Sequence, residues 1–219
     1  MRDYRKIFTA LLSLILILFP ISTYAAPAAP TVSYYGAGNY SSTAPVKPTT
    51  GLKFHVGYNA INTYGSVFTA AFDWNKNYSY CDVHISTISQ WPATKRPEYF
   101  LIKADELEPY IQGSTYYYNL QGALLNDLMQ YPMDHPTIYH CSIKINKDRS
   151  EFNIKGVFST KFLKKVIRHE VGHVLLLKHP STPYVASVMH QNPPSDYTQY
   201  SDVVTSTDIG NIEYLWYNK

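Results

Sequence analysis

Cysteine is nearly absent from this chain: Cys81 and Cys141 are the only two among 219 residues. They form no CxxC pair, which excludes a structural zinc knuckle and a dithiol redox motif. Charged side chains are also few, at 16% against 45% hydrophobic residues. That balance is globular and rules out wholesale disorder. No period repeats along the chain, so solenoid and array architectures are excluded too. What the chain has in excess is tyrosine, 21 residues scattered without a motif. Tyrosine joins apolar area to a hydroxyl and suits twisted sheets and exposed surfaces alike, so these residues read as structural.

Residues 1–25 read as a signal peptide rather than as part of the fold. Arg2, Arg5 and Lys6 form a basic head, an apolar run extends from Ile7 to Ile21, and Thr23-Tyr24-Ala25 offers small residues at the cleavage positions. The run is short for a bilayer span. Its removal takes away three basic side chains and one acidic one, lowering the formal charge from +3 to +1. A near-neutral extracellular protein is expected, with no electrostatic grip on nucleic acid and no stable membrane association. Export also makes a Cys81–Cys141 disulfide possible, contributing about 3–4 kcal/mol. Two buried thiols fit the sequence as well.

Residues 26–50 are rich in Pro, Ser, Thr, Ala and Gly and read as a flexible leader, either a short propeptide or a tether. Residues 51–219 then form one domain, long enough for a full core. Leu52–Val56 alternates like a strand, and Tyr64–Asn75 has helical spacing at Val67, Ala70, Ala71 and Trp74. Short β-like runs follow at Cys81–Ile88, Tyr99–Lys103 and Thr137–Asn146. Residues 107–136 fit a strand and loop or a short helix. From Lys161 to about Leu177 the helical signal is strong: Ser159 and Thr160 are ready caps, and Ile167, Val171, Val174 and Leu175 form one stripe. Pro180 and Pro183 prevent continuation. Thr205-Ser206-Thr207-Asp208 starts a last helix that buries Ile209, Ile212, Leu215 and Trp216. Strands first and helices late predict an α+β layer structure.

The strong helix carries His169-Glu170-Val171-Gly172-His173, then Val174-Leu175-Leu176-Leu177-Lys178-His179. Residues four apart share a helix face, so His169 and His173 can aim two imidazoles at one metal ion. Glu170 lies beside them, able to reach a water without being a ligand. A catalytic zinc usually takes three protein groups, and His179 is the natural third. For it to converge, the chain must fold back directly after Leu177. His55, His84, His135, His140 and His190 lack such spacing and read as ordinary polar or core residues.

These residues resemble the metzincin zinc endopeptidases, whose motif is H-E-x-x-H-x-x-G-x-x-H followed by a Met-turn. Ala186-Ser187-Val188-Met189-His190 resembles the Met-turn, and Thr205 through Leu215 the closing helix of the matrixin branch. Phe72-Asp73-Trp74 resembles the first long helix, and Ile143-Lys144-Ile145-Asn146 the strand leading to the active-site helix. The likeness covers roughly residues 52–219. It implies a metzincin-like zincin fold: a mixed twisted sheet, a long first helix, an active-site helix and a C-terminal helix. It implies one catalytic Zn2+ on His169, His173 and His179, Glu170 as general base, and Met189 beneath the metal. Substrate peptide is expected along an edge strand, for which residues 116–123 are the candidate. Pro193–Tyr197 corresponds to the wall of the specificity pocket. Ca2+ binding is allowed, but no dense acidic loop places it.

The chain departs from the family at Leu176, where the motif has glycine. A left-handed leucine costs roughly 1–2 kcal/mol. Met189 lies ten residues after His179, a longer connection than in vertebrate members. No cysteine lies in residues 26–50, so cysteine-switch latency is not available. The expected function is hydrolysis of extracellular protein or peptide by a secreted, monomeric zinc endopeptidase. The alternative is an inactive secreted binding module that keeps the zinc fold. A further alternative takes Glu213 as third ligand, as in the other large HExxH clan.

Overall fold

The computed structural model describes residues 52–75, 83–88, 100–119, 121–125, 140–180, 186–190 and 201–217. The signal segment, the leader, Cys81 and Pro193–Tyr197 lie outside them, so the disulfide and the pocket wall do too.

Alternation along the strands builds a two-faced sheet. β1 (Leu52–Gly57), β2 (Val83–Ile88), β3 (Phe100–Asp105), β4 (Gly113–Tyr118) and β5 (His140–Asn146) assemble in the order β2-β1-β3-β5-β4. β1, β2, β3 and β5 are parallel, while β4 joins β5 antiparallel and forms one edge. Phe54, Val56, Ile102, Ala104, Cys141, Ile143 and Ile145 are buried on one face. The other face is polar, where Lys103 and Lys144 flank Asp105 at 2.9 and 3.2 Å.

The helix expected over Tyr64–Asn75, and with it the long first helix, is instead a short α-helix that ends at Tyr64 and a 3-10 run over the expected span. α1 spans Tyr58–Tyr64 and is followed by a tight 3-10 run over Gly65–Asn75. The early start comes from Asn59, whose Oδ1 accepts the Ala60 N–H while its Nδ2 donates to the Ala104 carbonyl on β3. That contact is 45 residues away in sequence, so periodicity alone misses it. Gly65, at φ 70°, separates the two segments.

β5 leads through a short 3-10 turn (Arg149–Phe152) and the hairpin β6 (Asn153–Ile154) and β7 (Val157–Phe158) into helix α2, Thr160–Val174. The Ser159 hydroxyl caps α2 by accepting the Phe162 N–H at 3.1 Å. Leu163, Ile167, Val171 and Val174 are fully buried beneath the sheet, each stabilising the packing by about 1.5–3 kcal/mol. Trp74, also fully buried, ties the 3-10 run to α2 by donating Nε1–H to the Arg168 carbonyl. The Arg168 guanidinium in turn pairs with Asp73 at 2.6 Å. The last helix, α3, spans Ser206–Tyr217. Thr205 and Asp208 cap it reciprocally, the Thr205 N–H donating to the Asp208 carboxylate and the Asp208 N–H to Thr205 Oγ1. The fold is thus mixed α+β, with α2 lying across the sheet. Among the described residues no helix is long and apolar enough to cross a membrane.

Candidate metal centre

The spacing within α2 places His169 and His173 one turn apart on a single face, and the chain then turns back to add His179. The three Nε2 atoms form a triangle with 3.1 Å sides. His169 Nδ1 faces the Val188 carbonyl at 3.0 Å and His173 Nδ1 faces the Leu177 carbonyl at 2.9 Å. A carbonyl only accepts, so each Nδ1 carries the proton and each Nε2 of this pair presents a lone pair. Lone pairs converging at 3.1 Å repel unless a cation lies among them. Tetrahedral zinc with Zn–N of about 2.0–2.1 Å separates its nitrogens by about 3.3 Å, so the donor set fits. Burial holds the His169 imidazole well below its ordinary range and takes His173 to about 3 and His179 to about 4. All three are therefore neutral imidazoles at pH 7, and together they could hold a metal ion.

The return of His179 depends on the end of α2. Leu176 takes φ 68°, the left-handed conformation at which the motif has glycine. Leu177 N–H donates to the Gly172 carbonyl and Leu176 N–H to the His173 carbonyl, closing the helix with the paired bonds of a Schellman turn. Leu176 is only 1% exposed. Burying a leucine is worth about 2–5 kcal/mol as judged by truncation, more than the roughly 1–2 kcal/mol of left-handed strain. Leucine is therefore tolerated here because the turn is part of the core.

Beneath the histidines, Met189 is 1% exposed and packs against Gly172. A Cβ on Gly172 would collide with the Met189 sulfur and fall 2.9 Å from Trp74. Val188 offers its carbonyl to His169, and its N–H donates to Asp208 at 3.1 Å. Ser187 Oγ donates to the other Asp208 oxygen and accepts the Met189 N–H. Asp208 thus links the cap of α3 to the turn that orients His169. Burial raises the Asp208 carboxyl pKa, against four hydrogen bonds that favour its charged form.

Glu170 is 5% exposed and lies against β4. Thr115 Oγ1 is 2.7 Å from Glu170 Oε2 and 3.0 Å from the Glu170 carbonyl oxygen. Burial pushes the Glu170 carboxyl up to about 7, and the Thr115 bond opposes that shift. β4 is anchored to the same helix by Tyr117, whose hydroxyl donates to the His173 carbonyl at 2.7 Å. The edge strand is Gly113–Tyr118, which shares only Tyr116–Tyr118 with the expected stretch 116–123. Beyond Tyr118 the chain turns at Asn119–Gly122, and Leu124 bridges back to Tyr118. Gln112 accepts from Asn146 N–H, so Ser114 and Tyr116 bond to β5 while Gly113 and Thr115 turn their backbone groups outward. Tyr117 also points outward, and its carbonyl already accepts Leu125 N–H.

The structure brings His169, His173, His179, Glu170 and Met189 together. Sequence reasoning misses Gly113, Thr115, Gly172 and Asp208, and gives Tyr117 only as part of the candidate edge. Only Asp208 carries a local signal, its position three residues after the cap at Thr205. His190, read as ordinary, is buried beside the centre and helps to depress the His179 pKa.

No family model and no curated protein matches the chain. Among solved structures it is similar to the GM1-bound form of the ECX AB5 holotoxin, at 10% sequence identity and a TM-score of 0.45. The alignment covers 84% of this chain and 86% of that one.

Proposed function

We propose that this chain is a secreted zinc-dependent endopeptidase of metzincin type, closest in motif to the matrixins. The observation that carries the reading is the three-nitrogen cluster with Glu170 on the same helix, facing an edge strand with outward backbone groups. Bound zinc would lower the pKa of a coordinated water to about 7 and polarise a peptide carbonyl. Glu170 accepts a proton from the attacking water and returns it to the leaving amine. A carboxyl whose pKa burial raises is a stronger base than a free one, which suits it to take that proton. The backbone groups of Gly113 and Thr115 pair with an extended substrate, which adds a strand to the sheet. Met189 and Gly172 form the apolar floor on which the ligands rest.

Zinc stoichiometry and casein cleavage, measured on the purified chain and on Glu170→Ala, test this reading. One zinc per chain is expected in both proteins, with cleavage only in the first. An unaltered rate in Glu170→Ala removes the base from the mechanism, and absence of zinc removes the centre itself.

A further inference from the structure

Helix α2 sets the position of the Glu170 Cα, but its carboxyl group is gripped from the strand. Thr115 Oγ1 lies 2.7 Å from Oε2 and 3.0 Å from the Glu170 carbonyl oxygen. A hydroxyl has one proton and two lone pairs. When Glu170 is ionised, the hydroxyl donates to Oε2. When Oε1 has taken a proton, Oε2 is still an acceptor and the same bond persists. Either state of the glutamate is therefore held at the same place, which neither valine nor alanine can do.

The second carboxylate oxygen has a different neighbour. A Cβ on Gly113 would fall 3.0 Å from Oε1 and 3.0 Å from Cγ of Glu170. Glycine keeps the space beside that oxygen free of a side chain. Gly113 and Thr115 also turn backbone groups away from β5, so the residues that address Glu170 are the ones a docked peptide would pair with.

We propose that Thr115 is a positioning residue for Glu170: its hydroxyl holds Oε2 and leaves Oε1 as the oxygen that exchanges a proton with water. The inference rests on the peptidase reading, and deepens it by making β4 both the substrate edge and the mount of the base.

Thr115→Val keeps the shape and β-branching while removing the hydroxyl, and Thr115→Ser restores it. In the zinc-loaded full chain, Thr115→Val is expected to lower kcat about 10–100-fold, the range for losing an outer-shell hydrogen bond. KM should stay within about twofold, because loss of a transition-state interaction appears in kcat. Thr115→Ser should recover most of the rate. The second readout needs no activity: the Glu170 carboxyl 13C resonance of the zinc-free chain, assigned by its absence in Glu170→Ala. It should move in Thr115→Val and stay in Thr115→Ser. If valine changes neither kcat nor the resonance, or if serine is as impaired as valine, the hydroxyl has no such role. If no variant cleaves peptide but the resonance moves with valine alone, the positioning stands and the peptidase reading fails.

Discussion

Helix α2 and strand β4 meet over Glu170, and each contributes by different physics. On α2 the histidines and the glutamate are set by 3.6-residue geometry and one turn, all within residues 169–179. On β4 the hydroxyl of Thr115 reaches the same glutamate from 55 residues away, placed only by pairing with β5. On the proposed reading the helix therefore determines whether a metal can bind, and the strand determines how the carboxyl beside it is held. Changes on the helix should abolish the centre, whereas changes on the strand should leave the metal and tune the chemistry.

The sharpest break in that contrast is His173→Ala. It removes one Nε2 from the 3.1 Å triangle and the bond to the Leu177 carbonyl. Zinc should fall from one per chain to near zero by elemental analysis, and cleavage should vanish. A chain that kept its zinc would show that the three nitrogens are not the ligand set.

Acid should reach the same end reversibly. His173 and His179 titrate near 3 and 4 in the folded chain, below the ordinary imidazole value of about 6.5. The unfolded chain binds more protons between these values, so the stability they contribute is full above about 6.5 and falls as pH drops toward 4. Protons compete with metal over the same window. Zinc retention followed from pH 7 to 4 should decline, while thermal stability falls less because Glu170, raised to about 7, works the other way. Zinc held unchanged down to pH 4 would contradict the depressed histidine values.

Leu176→Gly probes the turn between the two histidine positions. Relief of left-handed strain gains roughly 1–2 kcal/mol, and loss of a buried leucine costs about 2–5 kcal/mol. A net loss of about 1–3 kcal/mol is expected, lowering the unfolding midpoint by about 2–10 °C, with one zinc still bound. A gain in stability would mean that strain outweighs packing.

The smallest effect belongs to the strand. Gly113→Ala places a methyl 2.8 Å from Val166 Cγ1 and 3.0 Å from Glu170, where side chains can shift. A cost of about 1 kcal/mol is expected, with zinc unchanged and kcat reduced several-fold. Zinc loss in this variant would erase the distinction between helix and strand.

The same contrast governs how much is legible in the amino-acid sequence alone. Ser159 as a cap, the Ile167–Val174 stripe and the His169–His173 pair are properties of neighbours along one helix, and the chain shows each directly. Even the strain at Leu176 follows from the motif position. β4 is obscure because only Tyr117 is buried while Ser114, Thr115, Tyr116 and Tyr118 are partly exposed, so no clean alternation marks it. α1 escapes the pattern because its first turn is held by the Asn59 contact to β3 rather than by its own apolar spacing.

By itself, then, the sequence determines an α+β chain with a helix that can present two imidazoles and a carboxyl to one point. Those facts depend on residues within a turn or two, whose relative geometry is stiff. Only the tertiary structure decides that Met189 rests on Gly172, that Asp208 holds the turn behind His169, and that Thr115 grips Glu170. Such contacts depend on which strands pair and in what register, and sequence separation places no limit on that choice until the whole core closes.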